Sequence, residues 1–214
     1  MTPSDPRLAP LGEGALTLTY AASLSDEAHR LVVHHARALA SIPGVAEVVP
    51  GYVSLTLHFD PTVASATDLR DRIAAAILLA GAPAPDAPGR LVTIPVRYDG
   101  PDLAEVAAAT GLSAEDVIDR HAAVEYEVGL LGFVPGFAYL GRLDPALVLP
   151  RRETPRPRVP AGSVAIAGEQ TGIYPAETPG GWHLIGTTDL QLFDPHRDPP
   201  SWLQVGDRVR FVPR

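Results

Sequence analysis

Four arginines fall within eight residues, Arg151, Arg152, Arg156 and Arg158 of the segment RRETPRPR, against a single acid, Glu153. A guanidinium is planar, permanently charged and rich in N–H donors, the geometry that grips a carboxylate or phosphoryl group through paired hydrogen bonds. Pro155, Pro157 and Pro160 hold the segment extended, so less conformational freedom is lost when an anion docks. The competing reading is a solvated loop whose arginines pair with surface acids. The chain carries a formal net charge of -8, so this positive strip opposes the global sign, which favours an anion site.

Aromatic residues surround the strip in sequence. In Phe133-Val134-Pro135-Gly136-Phe137 a proline and a glycine turn the backbone and bring two rings near each other. Pro179-Gly180-Gly181-Trp182 delivers an indole, and Tyr174-Pro175 stands just upstream. These rings either wall a pocket or plug the ends of a core. The candidate binding set is therefore Phe133, Pro135, Gly136, Phe137, Arg151, Arg152, Arg156, Arg158, Gln170, Tyr174 and Trp182.

His121 precedes Glu125 and Tyr126, and an imidazole beside a phenol suits general acid–base chemistry, with His121 and Tyr126 as catalytic candidates. The alternative is a histidine that merely answers the dipole of its helix C-terminus. His29, His34 and His35 lack the i, i+4 spacing of a helical ligand pair, so no metal site is expected. Ala161-Gly162-Ser163 lacks the G-x-S-x-G elbow of a serine hydrolase.

Composition removes further chemistries. There is no cysteine, hence no thiolate nucleophile, disulfide or cysteine zinc site. All 17 basic residues are arginine, which excludes a Schiff-base lysine and the phosphate-binding lysine of a Walker loop. The acidic balance argues against nonspecific binding to nucleic acid or to an anionic membrane. No apolar run approaches the ~18 residues of a membrane span, and MTPSDPRLAP lacks the basic-then-apolar pattern of a leader, so a soluble, cytoplasmic protein is expected.

The elements that must position these residues fall in two groups. Ala15 to Tyr20 alternates with period two and predicts a strand. Ser25 caps a helix to about Ala40, Val45–Val49 and Tyr52–Phe59 predict a hairpin about Pro50-Gly51, and Thr67 opens a helix closed by Gly81. The order is β-α-β-β-α, and Leu91–Tyr98 is the strand that would complete a ferredoxin-like α+β unit across the proline-rich connector 82–89. Whether that strand serves the first or the second domain stays open, and the boundary is set near residue 95, giving domains 1–95 and 96–214.

Two short helices follow, Leu103–Thr110 and Ala114 to about His121, the second with a Ser113/Asp116 capping box. Val124–Leu130, Ser163–Ala167, His183–Gly186, Gln191–Phe193 and Arg208–Val212 then predict short strands of a closed or nearly closed barrel.

Taken together, His121, Tyr126 and Val128 in H-x4-Y-x-V, GFVPGFAYL, PRRETPRPRVPAGSVAIAG, QTGIYP, PGGWHLIGTT and the closing LFDP and GDRVRFVP resemble the carboxyltransferase-type domain subunit 1 family. That family, also called allophanate hydrolase subunit 1, includes the prokaryotic 5-oxoprolinase subunit PxpB and the sporulation kinase inhibitor KipI. The resemblance implies an N-terminal α+β domain followed by a cyclophilin-like β-barrel. It implies a subunit 2 (PxpC-like) partner and a third subunit, which together open 5-oxoproline to glutamate with ATP and magnesium, held by or shared with a partner. The other implied role is that of a KipI-like inhibitor of a sensor histidine kinase. Relatives commonly carry arginine where this chain has Thr187, which removes one expected anion contact.

Overall fold

The computed structural model describes residues 6–83 and 89–214. The chain divides into two compact units, Met1–Ala87 and Pro88–Arg214. The part of the proline-rich connector that spans 84–88 lies outside the described residues.

The first unit runs β1 (Arg7–Pro10), β2 (Ala15–Thr19), α1 (Asp26–Leu39), β3 (Val45–Pro50), β4 (Ser54–Phe59) and α2 (Ala66–Ala80). Its sheet has the order β1-β2-β4-β3, antiparallel throughout. Period-two alternation buries Leu16 and Leu18 of β2 and Leu55, Leu57 and Phe59 of β4. Leu31, Val32 and Leu39 of α1 and Leu69 and Ile73 of α2 close the same core. Ser25 accepts a hydrogen bond from the Ala28 amide, and Ser65, two residues before the expected Thr67, caps α2 through the Asp68 amide. Gly81 ends α2 at φ 65°.

The ferredoxin-like order needs correction. The fourth strand of this sheet is β1, at its N-terminal edge, and not Leu91–Val96. That segment is β5 (Leu91–Val96), and it pairs in parallel with the last strand of the chain from Arg208↔Leu91 to Pro213↔Val96. A boundary at residue 95 would cut a strand that is hydrogen-bonded along its whole length within the second unit.

The second unit continues with α3 (Leu103–Thr110), α4 (Ala114–Ala123), β6 (Glu125–Leu131), β7 (Ala138–Gly141), β8 (Arg156–Val159), β9 (Ser163–Ala167), β10 (Gln170–Ile173), β11 (Thr178–Gly180), β12 (His183–Thr187) and β13 (Arg208–Pro213). Seven strands form one sheet in the order β12-β9-β10-β7-β6-β13-β5, with β8 and β11 as a separate ribbon. Gln191–Phe193, expected as a strand, makes only an isolated bridge from Phe193 to Ser201.

The two edges of the seven-stranded sheet meet. Arg97, just past β5, and Thr187 of β12 exchange both amide–carbonyl bonds at 2.9 and 2.7 Å. Gly100 N donates to Ile185 O at 3.3 Å and Asp102 N to Leu184 O at 3.0 Å, extending the seam. The sheet is thus a nearly closed barrel without free edges at this point. Val92, Ile94, Val128, Leu140, Val164, Ile166, Val209 and Phe211 fill it, and Val106 and Val117 of α3 and α4 cover it.

A side chain at Gly100 would bring its Cβ within 2.3 Å of the Leu184 carbonyl oxygen, whereas Gly111, which ends α3 at φ 71°, meets nothing within 4 Å. Gly100→Ala is expected to force the seam apart and cost about 1–3 kcal/mol, as overpacking does. Gly111→Ala is expected to cost about 1 kcal/mol from its left-handed backbone alone. Urea unfolding of the two variants checks this ranking, and equal losses would contradict it.

Candidate functional site

Asp102 stands at the mouth of α3 and is 2% exposed. An aspartate in this position usually caps its own helix, yet this side chain makes no such bond. One carboxylate oxygen instead accepts the Leu184 amide of β12 at 2.7 Å. The other accepts Nη1 of Arg152 at 3.1 Å and Nη2 of Arg156. Glu105, one turn along α3, accepts the same Arg152 nitrogen at 2.6 Å. A buried carboxylate thus ties the arginine segment to the helix entry and to the barrel wall. Sequence reasoning misses Asp102 and Glu105, because their partners lie about 50 residues or more away and no local pattern marks them.

The four arginines divide. Arg152 and Arg156 are half-buried and held by acids. Arg158 is exposed and lies 3.8 Å from the exposed Glu177, a contact that solvent screens. Arg151 is exposed, and its charge lowers the pKa of the Tyr139 and Tyr174 hydroxyls against the larger upward effect of their burial. The expectation of four open guanidinia in one cavity is corrected accordingly. Two are already neutralised by acids, and the donors left over are specific ones: Nε of Arg152 and Nη1 of Arg156 are buried without a hydrogen-bond partner among the described residues. Thr178 Oγ1 and His183 Nδ1 share that condition. Buried unpaired donors are uncommon and mark a place where an acceptor is wanted.

The rings do come together, and mostly as packing. Phe137 is the hub, with ring centroids 4.8 Å from Tyr139, 5.3 Å from Tyr174 and 5.5 Å from both Trp182 and Phe133. Phe137, Tyr174 and Trp182 are buried and form a small core with Val159, Ala165 and Leu184. They plug this end of the barrel and do not wall an open pocket. Phe133 differs: it is 58% exposed and, among the described residues, the only non-glycine at positive φ, 68°. Such strain in an exposed aromatic needs an over-determined turn, supplied by Gly132 N to Phe137 O and Phe137 N to Val134 O. Pro135 is exposed in that turn, and Gly136 at φ 82° lies where a Cβ would strike Phe193 at 2.6 Å. Gln170 opens β10 opposite Ala167 and Gly141, half-buried and outside the aromatic group. Thr187 sits at the seam, its hydroxyl donating to Asp99 at 2.8 Å, apart from the arginine cluster.

His121 and Tyr126 occupy the barrel core instead of the arginine cluster. The Thr171 hydroxyl donates to the Ala165 carbonyl at 3.0 Å, so it accepts from His121 Nε2 at 2.9 Å. Nδ1 then accepts from the Tyr98 hydroxyl at 2.8 Å, and the Tyr126 hydroxyl donates to the His121 carbonyl at 2.9 Å. The ring stacks on Phe211 with centroids 4.6 Å apart. Every polar atom of the imidazole is committed and no face is open to solvent, an arrangement that positions α4 against the barrel.

Burial lowers the His121 pKa from 6.5 to about 3. The unfolded imidazole binds a proton below about 6.5 and the folded one does not, so stability falls as pH drops from there towards 3, by up to about 1.4 kcal/mol per unit. Urea titrations across this range are expected to show one proton fewer of linkage in His121→Gln than in the parent, and an unchanged slope would contradict the buried neutral ring. Asp102→Ala, which strands two guanidinia, is expected to cost about 3 kcal/mol in the same assay, and Asp102→Asn less.

Comparison with known proteins places this architecture. The model for the carboxyltransferase domain, subdomain C and D, matches residues 6–203. The 5-oxoprolinase B subunit of Escherichia coli O157:H7 is 45% identical over 207 residues, covering 95% of this chain and 94% of that protein. The protein of the same name from Bacillus subtilis (strain 168) is 40% identical over 222 residues, covering 94% and 90%. The crystal structure of TTHA0988 superposes on 94% of the chain with a TM-score of 0.82 and 46% identity, and this chain spans 40% of the length of that one. With a buried-carboxylate seam, a nearly closed barrel and near-complete alignment in hand, the chain belongs to the family of the carboxyltransferase domain, subdomain C and D.

Proposed function

We propose that this chain is the PxpB-type subunit of a 5-oxoprolinase, a non-autonomous part of an assembly that opens 5-oxoproline to glutamate. The observation that carries the reading is the 45% identity that runs over 95% of this chain and 94% of a 5-oxoprolinase B subunit. The second unit is then the cyclophilin-like barrel of that subunit, and its arginine cluster is the part that meets a small anion.

The donors suit a carboxylate. Arg151 carries an exposed charge with no ion pair among the described residues, and the unpartnered N–H groups of Arg152 and Arg156 are consistent with a bound acceptor. A 5-oxoproline carboxylate held there is oriented without consuming the reactive carbonyl, which is the use of binding energy that positioning requires. The chain has no lysine, so a Walker-type phosphate lysine is not supplied by it. ATP, which esterifies an otherwise unreactive lactam oxygen, is in this reading bound by or shared with a partner subunit. The strained, exposed Phe133 suits contact with a PxpC-like subunit 2, since buried aromatics dominate interfaces. Among the described residues no helix is long and apolar enough to cross a membrane.

Purified chain combined with the two candidate partner subunits, ATP and 5-oxoproline is expected to produce glutamate, and omission of this chain to abolish it. Glutamate formed equally without the chain would overturn the assignment. Inhibition of a sensor histidine kinase, with no effect on glutamate, would favour the KipI-like role. Arg151→Gln, which removes an exposed and unpaired charge, is expected to leave the unfolding midpoint in place and lower kcat/KM at least about tenfold. Phe133→Ser is expected to weaken co-purification with subunit 2 by about tenfold or more, and undiminished recovery would dismiss that contact.

A further inference from the structure

The first unit holds a cleft of about 820 Å³ that the arginine cluster does not explain. It opens between α1 and α2 beside β1, and its walls are largely apolar, with Leu8, Leu18, Leu31, Ile73, Ile77 and Leu78 among them. Leu78 is 83% exposed at its edge, apolar surface of the kind a ligand tail covers. The volume is that of a small-molecule site, where a few polar groups set orientation within an apolar surround.

Those polar groups are predominantly cationic. Arg30 of α1 and Arg70 of α2 line the cleft from opposite helices, both exposed and neither in an ion pair with a described residue. The one acid among its described lining residues is Glu27. His35 also faces the cleft, but its Nδ1 is held by the buried Tyr20 hydroxyl at 2.8 Å. Burial and the neighbouring His34 lower its pKa against the pull of the Gly81 backbone, so the positive charge at the cleft is that of the two arginines. In a chain of net charge -8, two guanidinia that line an apolar cleft without an ion pair to a described residue are complementary to a single small anion with an apolar tail.

We propose that this cleft binds a free medium-chain carboxylic acid, its tail along the α1–α2 floor and its carboxylate between Arg30 and Arg70. The site is separate from the arginine cluster of the second unit and its readout does not depend on glutamate formation. The probe is decanoate, titrated into the full chain by calorimetry below its micellar concentration, with decanol and acetate as neutral and tail-less controls. Saturable, one-to-one decanoate binding is expected, with acetate silent and decanol weaker. Arg30→Gln and Arg70→Gln are each expected to weaken decanoate about fivefold or more while leaving decanol unchanged. Ala74→Trp, at an exposed position in the lining, is expected to fill the cleft and abolish binding of both, with circular dichroism showing an intact fold. Failure of decanoate to saturate, equal affinity for decanol, or decanoate binding untouched by Ala74→Trp would each overturn the proposal.

Discussion

One carboxylate carries the architecture of the second unit. Asp102 forgoes capping its own helix and commits both oxygens elsewhere, to the Leu184 amide and to two guanidinia. Its backbone amide donates to the Leu184 carbonyl as well, so a single residue is clamped to β12 by main chain and side chain together. A buried charge is costly unless hydrogen-bonded from several sides, and here three donors converge on it. The consequence is geometric: the barrel seam, the start of α3 and the proline-braced arginine segment are joined at one point, and none of them can move without breaking charged hydrogen bonds.

That junction separates Arg152 and Arg156, which acids hold in place, from the exposed Arg151 and Arg158. Left alone, four guanidinia on an extended loop would sample many rotamers and bind an anion weakly. With Nη1 of Arg152 and Nη2 of Arg156 engaged by Asp102, the remaining donors face fixed directions, which is the preorganisation that electrostatic recognition needs. The aromatic group around Phe137 packs with Val159, the last residue of β8, as a separate small core. Elsewhere in the second unit the His121 network is saturated, with Tyr98, Thr171 and Tyr126 satisfying every polar atom. The two clusters differ in that the imidazole network is saturated, whereas Nε of Arg152 and Nη1 of Arg156 have no hydrogen-bond partner among the described residues.

Much of this was legible in the residues and some was not, for identifiable reasons. The helices were legible because Ser25, Ser113 and Gly81 act locally and the apolar periods agree with them. β9 was legible from its run of β-branched and small residues, SVAIA. β1 leaves little local signal because RLAP, with Pro10 at its end, reads as a tail, and β8 because Pro157 and the charges around it hide a strand that pairs with the short β11. The destination of β5 was undecidable from its alternation, since a parallel partner more than a hundred residues away leaves no local trace. Residue type marks His121 for acid–base chemistry, while its burial depends on the whole barrel and leaves no local trace. The arginine segment was recognised by charge, but the acids that sort its members lie at the start of α3, and only long-range pairing reveals them.

The central claim is that Asp102 and the arginine segment act as one unit, and a double-mutant cycle on stability tests it most directly. Asp102→Asn, Arg156→Gln and the double variant are measured by urea unfolding under identical conditions. If the carboxylate organises the segment, Arg156→Gln should cost much less in the Asp102→Asn background than alone, with a coupling of about 1–3 kcal/mol. Strictly additive losses would show that the two side chains are neighbours without being coupled, and the account of the site would fall with that result.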